Sequence, residues 1–556
     1  MTTEHKISFF NKRFYLVLSV LLFVAILVIA RMLYLTIFER KFLLTQGAAR
    51  YLRVINIPAY RGMILDRNSY PLAISTPVDS VWLNPQDFPA TYYNLSRISK
   101  ILQITNNNIV KVLARNKNKQ FVYLKRLVNP DVANSLLRLG IPGIYLRREY
   151  RRYYPLGEVT AQVLGFTNID DQGQEGLELE YNSFLAGTNG KERVLKDLYG
   201  NVVGVLSDLS SAVSGNNITL SLDEKIQFLA YRVLKKTVMQ NHAKSGTIVV
   251  LDAKNGEILA MVNQPSFNPN KKNSFAFAAI RNRAVTDLFE PGSTMKAFSI
   301  ASALESGKYK VNTLIDTNPG KLVIDNSVVR DDNYENHGVL TVEGVLQKSS
   351  NIGVAKMTLS LPPEHFLDFL ARLGFGFKTE SGFPAEAAGT INDDVSRPFV
   401  LATLSFGYGI SVTPIQLAHA YSVLANNGTS CPVTFIKREQ RPECRQVLDK
   451  SVASKMLTML KSVLETGGTG TQAKVRGYTV AGKTGTARIA DKNGYNLRRR
   501  IASFVGITPV SNPQLVIAVI IREPLDDHYG GTVAAPAFAE VAEGALRILN
   551  IPPDKI

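Results

Sequence analysis

The run FYLVLSVLLFVAILVIA, Phe14 to Ala30, carries no charge, and after Arg31 the apolar residues resume from Met32 to Phe38. About 20 such residues cross the hydrocarbon core of a bilayer as a helix, the one local fold that satisfies every backbone N–H and C=O without water. That feature divides the chain. Residues 14–38 are expected to form a membrane anchor, 1–13 a tail on one side, and everything from about residue 39 lies on the other. Lys6, Lys12 and Arg13 precede the run, and such a basic flank keeps the tail in the cytoplasm. A cleaved signal peptide is the competing reading, with VIA (28–30) as a weak cleavage site. The run is longer than a signal h-region and continues past that site, so a retained single-pass anchor is expected.

The remaining chain, out of 556 residues, is long enough for more than one domain and a large core. No internal repeat occurs at solenoid periods. Lys and Arg number 64 against 46 Asp and Glu, a net charge of +18 that suits nucleic acid, an anionic membrane or acidic polymers. The basic residues are dispersed apart from short clusters such as LRREYRRYY (146–154) and LRRR (497–500), and no zinc-finger, RNP or helix-turn-helix pattern accompanies them. No nucleic-acid partner is expected. The two cysteines, Cys431 and Cys444, flank a segment short enough to close as a loop. A disulfide and two free thiols both remain open.

From Arg50 to Gly215 the chain reads as short mixed elements. VINIPAYRGMILDRNSYPLA (54–73) is strand, turn, strand, and helical stretches follow near 94–115 and 131–139. VSGNNITLSLDEKIQFLAYRVLKKTV (213–238) marks a boundary: a polar loop, a short strand, and an amphipathic helix opened by Leu222-Asp223-Glu224. Beyond it, SGTIVVLDAKNGEILAMVNQP (245–265) is a hairpin turning at Asn-Gly. Apolar helices fill the middle. TVAGKTGTARIA (479–490), RIASFVGITPV (500–510) and PQLVIAVIIREP (513–524) read as three successive strands, with a last helix over Pro536 to Leu549. Hairpin strands at both ends of a helical centre imply α+β, one antiparallel sheet packed against helices.

Chemistry concentrates in FEPGSTMKAFSIASALESG (289–307). Pro291 suits a helix start, Gly307 a helix end, and the residues between are apolar on nearly every side, as in a buried helix. Ser293 and Lys296 then share one face of the first turn. A Lys there faces the positive end of the macrodipole and loses water, a poor place unless it is used. A Ser beside such a Lys reads as a nucleophile beside a general base. S-x-x-K occurs only here. It is followed by S-x-N at Ser349 and Asn351 and by K-T-G at Lys483, Thr484 and Gly485, the order found in penicillin-binding proteins and serine β-lactamases. Lys244-Ser245-Gly246 and Ser214/Asn216 mimic two of these motifs but precede the S-x-x-K helix, so Lys244 reads as the start of the first strand. No G-x-S-x-G elbow, H-E-x-x-H or C-x-x-C occurs, and neither metal nor cofactor is expected. His337 reads as surface or structural, FGYGISVTP as a tight connection between helices, and Trp82 and the many Tyr as packing.

These motifs, with RGMILDR (61–67), RRYYPLGEVTAQVLGFTN (151–168), LQKSSNIGVAK (346–356), SFGYGISVTPIQLA (405–418), KTGTA and GGTVAAPAF (530–538), resemble the class B penicillin-binding proteins of the cell-division (FtsI) type, peptidoglycan D,D-transpeptidases. One departure is Ser69, where the family usually has Gly; Asn68 is expected to take that turn. The resemblance implies an elongated β-rich pedestal domain of the dimerisation type over 39–218 and a transpeptidase domain over 219–556, outside the inner membrane in the periplasm. It implies that Ser293 is the nucleophile and Lys296 its base. Ser349 would relay a proton, and Asn351 would hold the substrate backbone and orient Lys296. Lys483 would supply a second cation, and with Thr484, Gly485 and Thr486 would face the substrate carboxylate. The backbone N–H groups of Ser293 and Thr486 would form the oxyanion hole. Implied partners are nascent peptidoglycan stem peptides, β-lactams as inhibitors, the membrane, a membrane-embedded glycan polymerase and other division proteins.

Alternative readings are an elongation-type transpeptidase and a catalytically idle division scaffold. A D,D-carboxypeptidase side activity is compatible with the same motifs. FEPGS favours the division type, and the intact motifs argue against idleness. A reporter fused after residue 45 is expected to register as external; release of a mature protein beginning near Arg31 would mean a signal peptide instead.

Overall fold

The computed structural model describes residues 4–197, 202–271, 276–491 and 494–555. A helix from Glu4 to Ile37 contains the apolar run up to Ile37; its stretch Lys12–Ile37 is long and apolar enough to cross a membrane, and none of it is buried among the described residues. The chain forms two compact units. One holds the residues up to Ala59, Asp79–Glu149 and Gly187–Ser214; the other holds Tyr60–Val78, Tyr150–Ala186 and everything from Gly215.

In the first unit, Leu52–Ile57, Gly190–Lys196 and Val202–Ser210 make a three-stranded antiparallel sheet in that order. A separate small core gathers Val81, Leu95, Ile98, Ile109, Val128 and Leu136 around helices Tyr92–Leu102, Asn106–Arg115 and Pro130–Leu137. The helical stretch read near 94–115 is two helices. Gln103 turns left-handed at φ 52, and the Thr105 hydroxyl accepts from Asn108 N to cap the second.

In the second unit, the turn after Ile64–Leu65 corrects the sequence reading. Ser69 itself takes the left-handed position at φ 67, not Asn68. Asp66 makes this tolerable, because its carboxylate accepts from Asn68 N at 2.8 Å and Tyr70 N at 2.7 Å. Asn68 instead donates its side-chain amide to Asp223, the N-cap of helix Glu224–Gln240. Nearby, Arg61 and Arg152 share one carboxylate, Glu178, at 2.7 and 2.6 Å, and all three side chains are almost wholly buried.

The large sheet has the order Ile258–Gln264, Ser245–Asp252, Leu515–Arg522, Gly494–Thr508, Ala481–Asp491, antiparallel throughout. Its near-continuous burial reflects helices on both faces. The last helix runs Gly530–Ile548, so Pro536 lies inside it rather than at its start. The Gly530 N–H is spoken for by Thr486 Oγ1 at 3.1 Å, which fixes the true beginning. Cys431 and Cys444 are joined in a disulfide beside the short ladder of Thr429–Ser430 with Arg445–Gln446, which brings the two cysteines together.

Removing Glu178 takes away the carboxylate that both buried guanidinium groups pair with directly, leaving the charge of Asp171 nearby. Glu178→Ala should therefore lower stability by about 3–5 kcal/mol in denaturant unfolding, whereas a loss under about 1 kcal/mol would mean that water replaces the carboxylate.

Candidate active site

Gly292–Met295 is one turn of 3-10 helix that passes directly into helix Lys296–Glu305. Positions i and i+3 eclipse in a 3-10 turn, so Ser293 and Lys296 share a face as the spacing implied, by a different helix type. Gly292 stands at φ 54, and a Cβ on Gly407 would lie 2.2 Å from the Gly292 carbonyl oxygen. The connection between helices Pro398–Ser405 and Pro414–Ala425 is thus pressed backbone to backbone against the turn that carries Ser293. Glu290 ties the two further, accepting from Gly409 N at 2.8 Å and from the Tyr495 hydroxyl at 3.0 Å. Burial raises its carboxyl above the usual range.

Lys296 is 1% exposed and Lys483 not exposed at all, yet both aim at one hydroxyl. Lys296 Nζ donates to Ser349 Oγ at 3.1 Å and to the Ser349 carbonyl; Lys483 Nζ donates to the same Oγ at 3.0 Å. Ser349 ends helix Val342–Lys348 in the left-handed region, at φ 60 and ψ 40. That conformation costs a non-glycine residue roughly 1–3 kcal/mol and turns both its carbonyl and its hydroxyl toward the amines. Burial pulls the Lys296 ammonium down to about 7, opposed by the negative charges of Asp331 and Asp332. Burial also pushes Lys483 well below its ordinary range, and the charge of Lys296 adds to this. An amine neutral near pH 7 is a competent proton acceptor, where an ordinary Lys, neutral in only about one molecule in 2,500, is not.

The third motif lies on the edge strand Ala481–Asp491. Strand alternation sends Lys483 and Gly485 to one face, Thr484 and Thr486 to the other. A Cβ on Gly485 would meet Ser503 Oγ at 2.4 Å, Thr294 Cγ2 at 2.9 Å and Pro291 O at 3.0 Å, so this strand lies flush against the turn that carries Ser293. Thr484 Oγ1 pairs with Thr469 Oγ1 at 2.6 Å, and Thr486 Oγ1 accepts from Gly530 N. The structure therefore brings Ser293, Lys296, Ser349 and Lys483 to one place. The Ser293 hydroxyl makes no hydrogen bond to a described residue, as is common before substrate arrives. No hydrogen bond joins Asn351 to Lys296 among the described residues: the Asn351 amide donates to Arg330 O at 2.7 Å, and the Lys296 amine bonds to Ser349.

Sequence reasoning missed Asp331, whose carboxylate accepts from Ser350 Oγ, Asn351 N and Ile352 N. It also missed Tyr421, whose buried hydroxyl donates to Thr294 O at 2.8 Å. His337 lies with Nε2 3.9 Å from Asp331 Oδ2 and 3.7 Å from Glu335 Oε2. Lys244 precedes the first strand of the sheet and pairs with Glu523 at 3.2 Å. Among the described residues no His, Cys, Asp and Glu group is arranged to hold a metal.

The penicillin binding protein transpeptidase domain matches residues 246–543, and the penicillin-binding protein dimerisation domain matches 56–220. The chain is 41% identical to the probable peptidoglycan D,D-transpeptidase PbpC of Pseudomonas aeruginosa over 98% of this chain and 97% of that one. The chain belongs to the penicillin-binding peptidoglycan D,D-transpeptidases. Within this family it is 37% identical to the peptidoglycan D,D-transpeptidase FtsI of Escherichia coli, over its whole length and 94% of that protein. Penicillin-binding protein 3 of Mycobacterium tuberculosis, in complex with aztreonam, superposes with a TM-score of 0.69 at 27% identity, over 90% of this chain and 99% of that one. This penicillin-binding protein is accordingly a class B D,D-transpeptidase acting on peptidoglycan and open to β-lactams.

An amine must be neutral to accept a proton, so activity should be lost as pH falls through its pKa. Acylation by a β-lactam is expected to rise with pH through an apparent pKa near 7, one that belongs to the coupled Lys296–Lys483 pair. Lys296→Arg, which cannot give up its proton, should slow acylation by at least ~10²–10⁴-fold. Acylation within a few-fold of wild type would make Lys296 structural.

Proposed function

We propose that this chain is the cross-linking enzyme of septal wall synthesis, with Ser293 as nucleophile. The observation that carries the mechanism is the single hydroxyl, Ser349 Oγ, shared by two dry amines, one of them on Lys296, a turn from Ser293. Lys296 Nζ takes the Ser293 proton as Oγ bonds to the penultimate carbonyl carbon of a D-alanyl-D-alanine stem. The oxyanion is held by the N–H groups of Ser293 and Thr486. Breaking the C–N bond releases terminal D-alanine, whose nitrogen receives the proton from Lys296 by way of Ser349. The amine of a neighbouring stem then attacks the ester, the same groups run in reverse, and Ser293 regains its proton as the cross-link forms. Water in place of the amine would give the carboxypeptidase product.

Lys483, Thr484 and Thr486 take the terminal carboxylate, Gly485 giving it room, with Asn351 on the substrate backbone. Support for an anion there comes from helix Gly530–Ile548, whose N-terminus abuts Thr486 and carries the positive end of its dipole. β-Lactams acylate the same Ser293.

The septal assignment is supported by the FEPGS block and by 37% identity to FtsI of Escherichia coli along the whole of this chain. In this reading Lys6, Lys12 and Arg13 hold the tail inside, residues 14–38 anchor the protein in the inner membrane, and 219–556 do the chemistry in the periplasm. The stretch 39–218 is a pedestal that docks a membrane-embedded glycan polymerase and other division proteins.

Depleting the protein and complementing with wild type or Ser293→Ala tests both halves. Filamentous cells, rescued by wild type alone, are expected, together with a β-lactam adduct mapped to Ser293 by mass spectrometry. Rounded cells would assign elongation instead; rescue by Ser293→Ala would make the protein a scaffold.

A further inference from the structure

The S-x-N motif is held by a residue twenty positions upstream. Asp331 is 5% exposed, and its two carboxylate oxygens take three donors: Ser350 Oγ at 2.7 Å, Asn351 N at 2.5 Å and Ile352 N at 3.0 Å. The carbonyl of the preceding residue, Arg330, takes the Asn351 side-chain amide. Four donors of three consecutive residues thus end on one dipeptide. The two amides belong to the first turn of helix Asn351–Leu359, where N–H groups lack intrahelical partners and a carboxylate is favoured. Ser350 Oγ, which gives its proton to Asp331, accepts in turn from Gly353 N as the N-cap. Just before this clamp sits Ser349, the left-handed residue that closes helix Val342–Lys348: its N–H bonds to Leu346 O and Ser350 N bonds to Val345 O, and a Ser takes there the place that a Gly fills without strain. The loop that follows Asp331 is also strained, Asn333 and Tyr334 standing at φ 52 and 60. Strain of this kind persists only where surrounding contacts over-determine it.

We propose that Asp331 is a positioning residue for this transpeptidase: its carboxylate clamps the Ser350–Ile352 turn and so fixes the Ser349 carbonyl and hydroxyl against Lys296 and Lys483. This rests on the reading of Lys296 as the base. The role has an electrostatic side, because Asp331 also acts on the charge of Lys296. Lys483 faces it from the edge strand, and Asp331 and Asp332 face it from the loop. Asp331 is faced in turn by His337, at 3.9 Å, which also touches Glu335. Burial favours the neutral Lys296 amine, and the buried negative charge of Asp331 opposes that. Removing the charge while keeping the shape should leave the base neutral to lower pH.

The test is the pH dependence of acylation by a fluorescent penicillin, measured on the full chain in detergent for wild type, Asp331→Asn and Asp331→Ala. The Asn variant keeps an accepting oxygen for the two amides, and its acid limb is expected to move down by about half a pH unit or more. The Ala variant loses the clamp, and its plateau rate should fall ~10²-fold, the scale set by a misplaced catalytic group. A simple loss of stability would lower the amount of labelled protein without moving the limb. A wild-type limb that Asp331→Asn leaves in place would overturn the role of Asp331 alone. A wild-type profile with no acid limb would overturn the base assignment and this proposal together. If Asp331→Asn does not fold, Ser350→Ala decides: it removes one leg of the clamp and keeps the charge, so the plateau should fall ~10-fold with the limb unmoved. An unchanged plateau in Ser350→Ala would overturn the clamp.

Discussion

Two amines that would each be cations in water are held in a dry site against one serine hydroxyl, and the surrounding structure serves to keep them there. Nothing in the hydrophobic effect favours such an arrangement; burying one unpaired ammonium already costs several kcal/mol unless it sheds its proton. The fold resolves the conflict by supplying neutral acceptors instead of a carboxylate in direct contact. The Ser349 carbonyl and hydroxyl and the Thr484 carbonyl take the N–H donors, while Asp331, whose charge acts on Lys296, is occupied by the adjoining helix. A direct salt bridge would have satisfied Lys296 and fixed its charge. The arrangement observed leaves its proton exchangeable.

Holding three motifs from distant parts of the chain at hydrogen-bond distance requires backbones that approach closer than side chains permit. Glycines do this at two layers. Gly407 lies on the Gly292 carbonyl, and Gly530 approaches Gly485 so that a Cβ would stand 2.4 Å from its carbonyl oxygen. The loop at Gly407 thus lies backbone to backbone on the turn that carries Ser293, and the N-terminus of the last helix lies so on the edge strand. Catalytic geometry here is set by main-chain contact, which is stiffer than contact through rotamers.

What the sequence displayed was whatever depends on neighbours along the chain. The membrane run, the Asn-Gly hairpin, the three closing strands and the Ser293–Lys296 spacing are all local patterns, and each appears in the structure. What it hid depends on partners far away. Asp331 looks like one acid among several in RDDNYENH, and its capping role exists only because a loop twenty residues upstream folds back onto the start of the helix. Pro536 suggested a helix start by its own preference, but a bond from Gly530 to Thr486 on another element moved the boundary. Ser69 looked too bulky for a left-handed turn until Asp66 was seen to hold both flanking amides. The Asn351 amide, assigned to Lys296 by resemblance, is drawn instead to the Arg330 carbonyl, which no spacing rule brings near.

The disulfide has a combinatorial side. Six cysteines can pair in fifteen ways and four in three, but two have a single intramolecular choice, and this chain has two. Its oxidation can be incomplete, but within one molecule it cannot be wrong. A protein of this size needs an electron acceptor to mature its Cys431–Cys444 loop and no machinery to proofread the result.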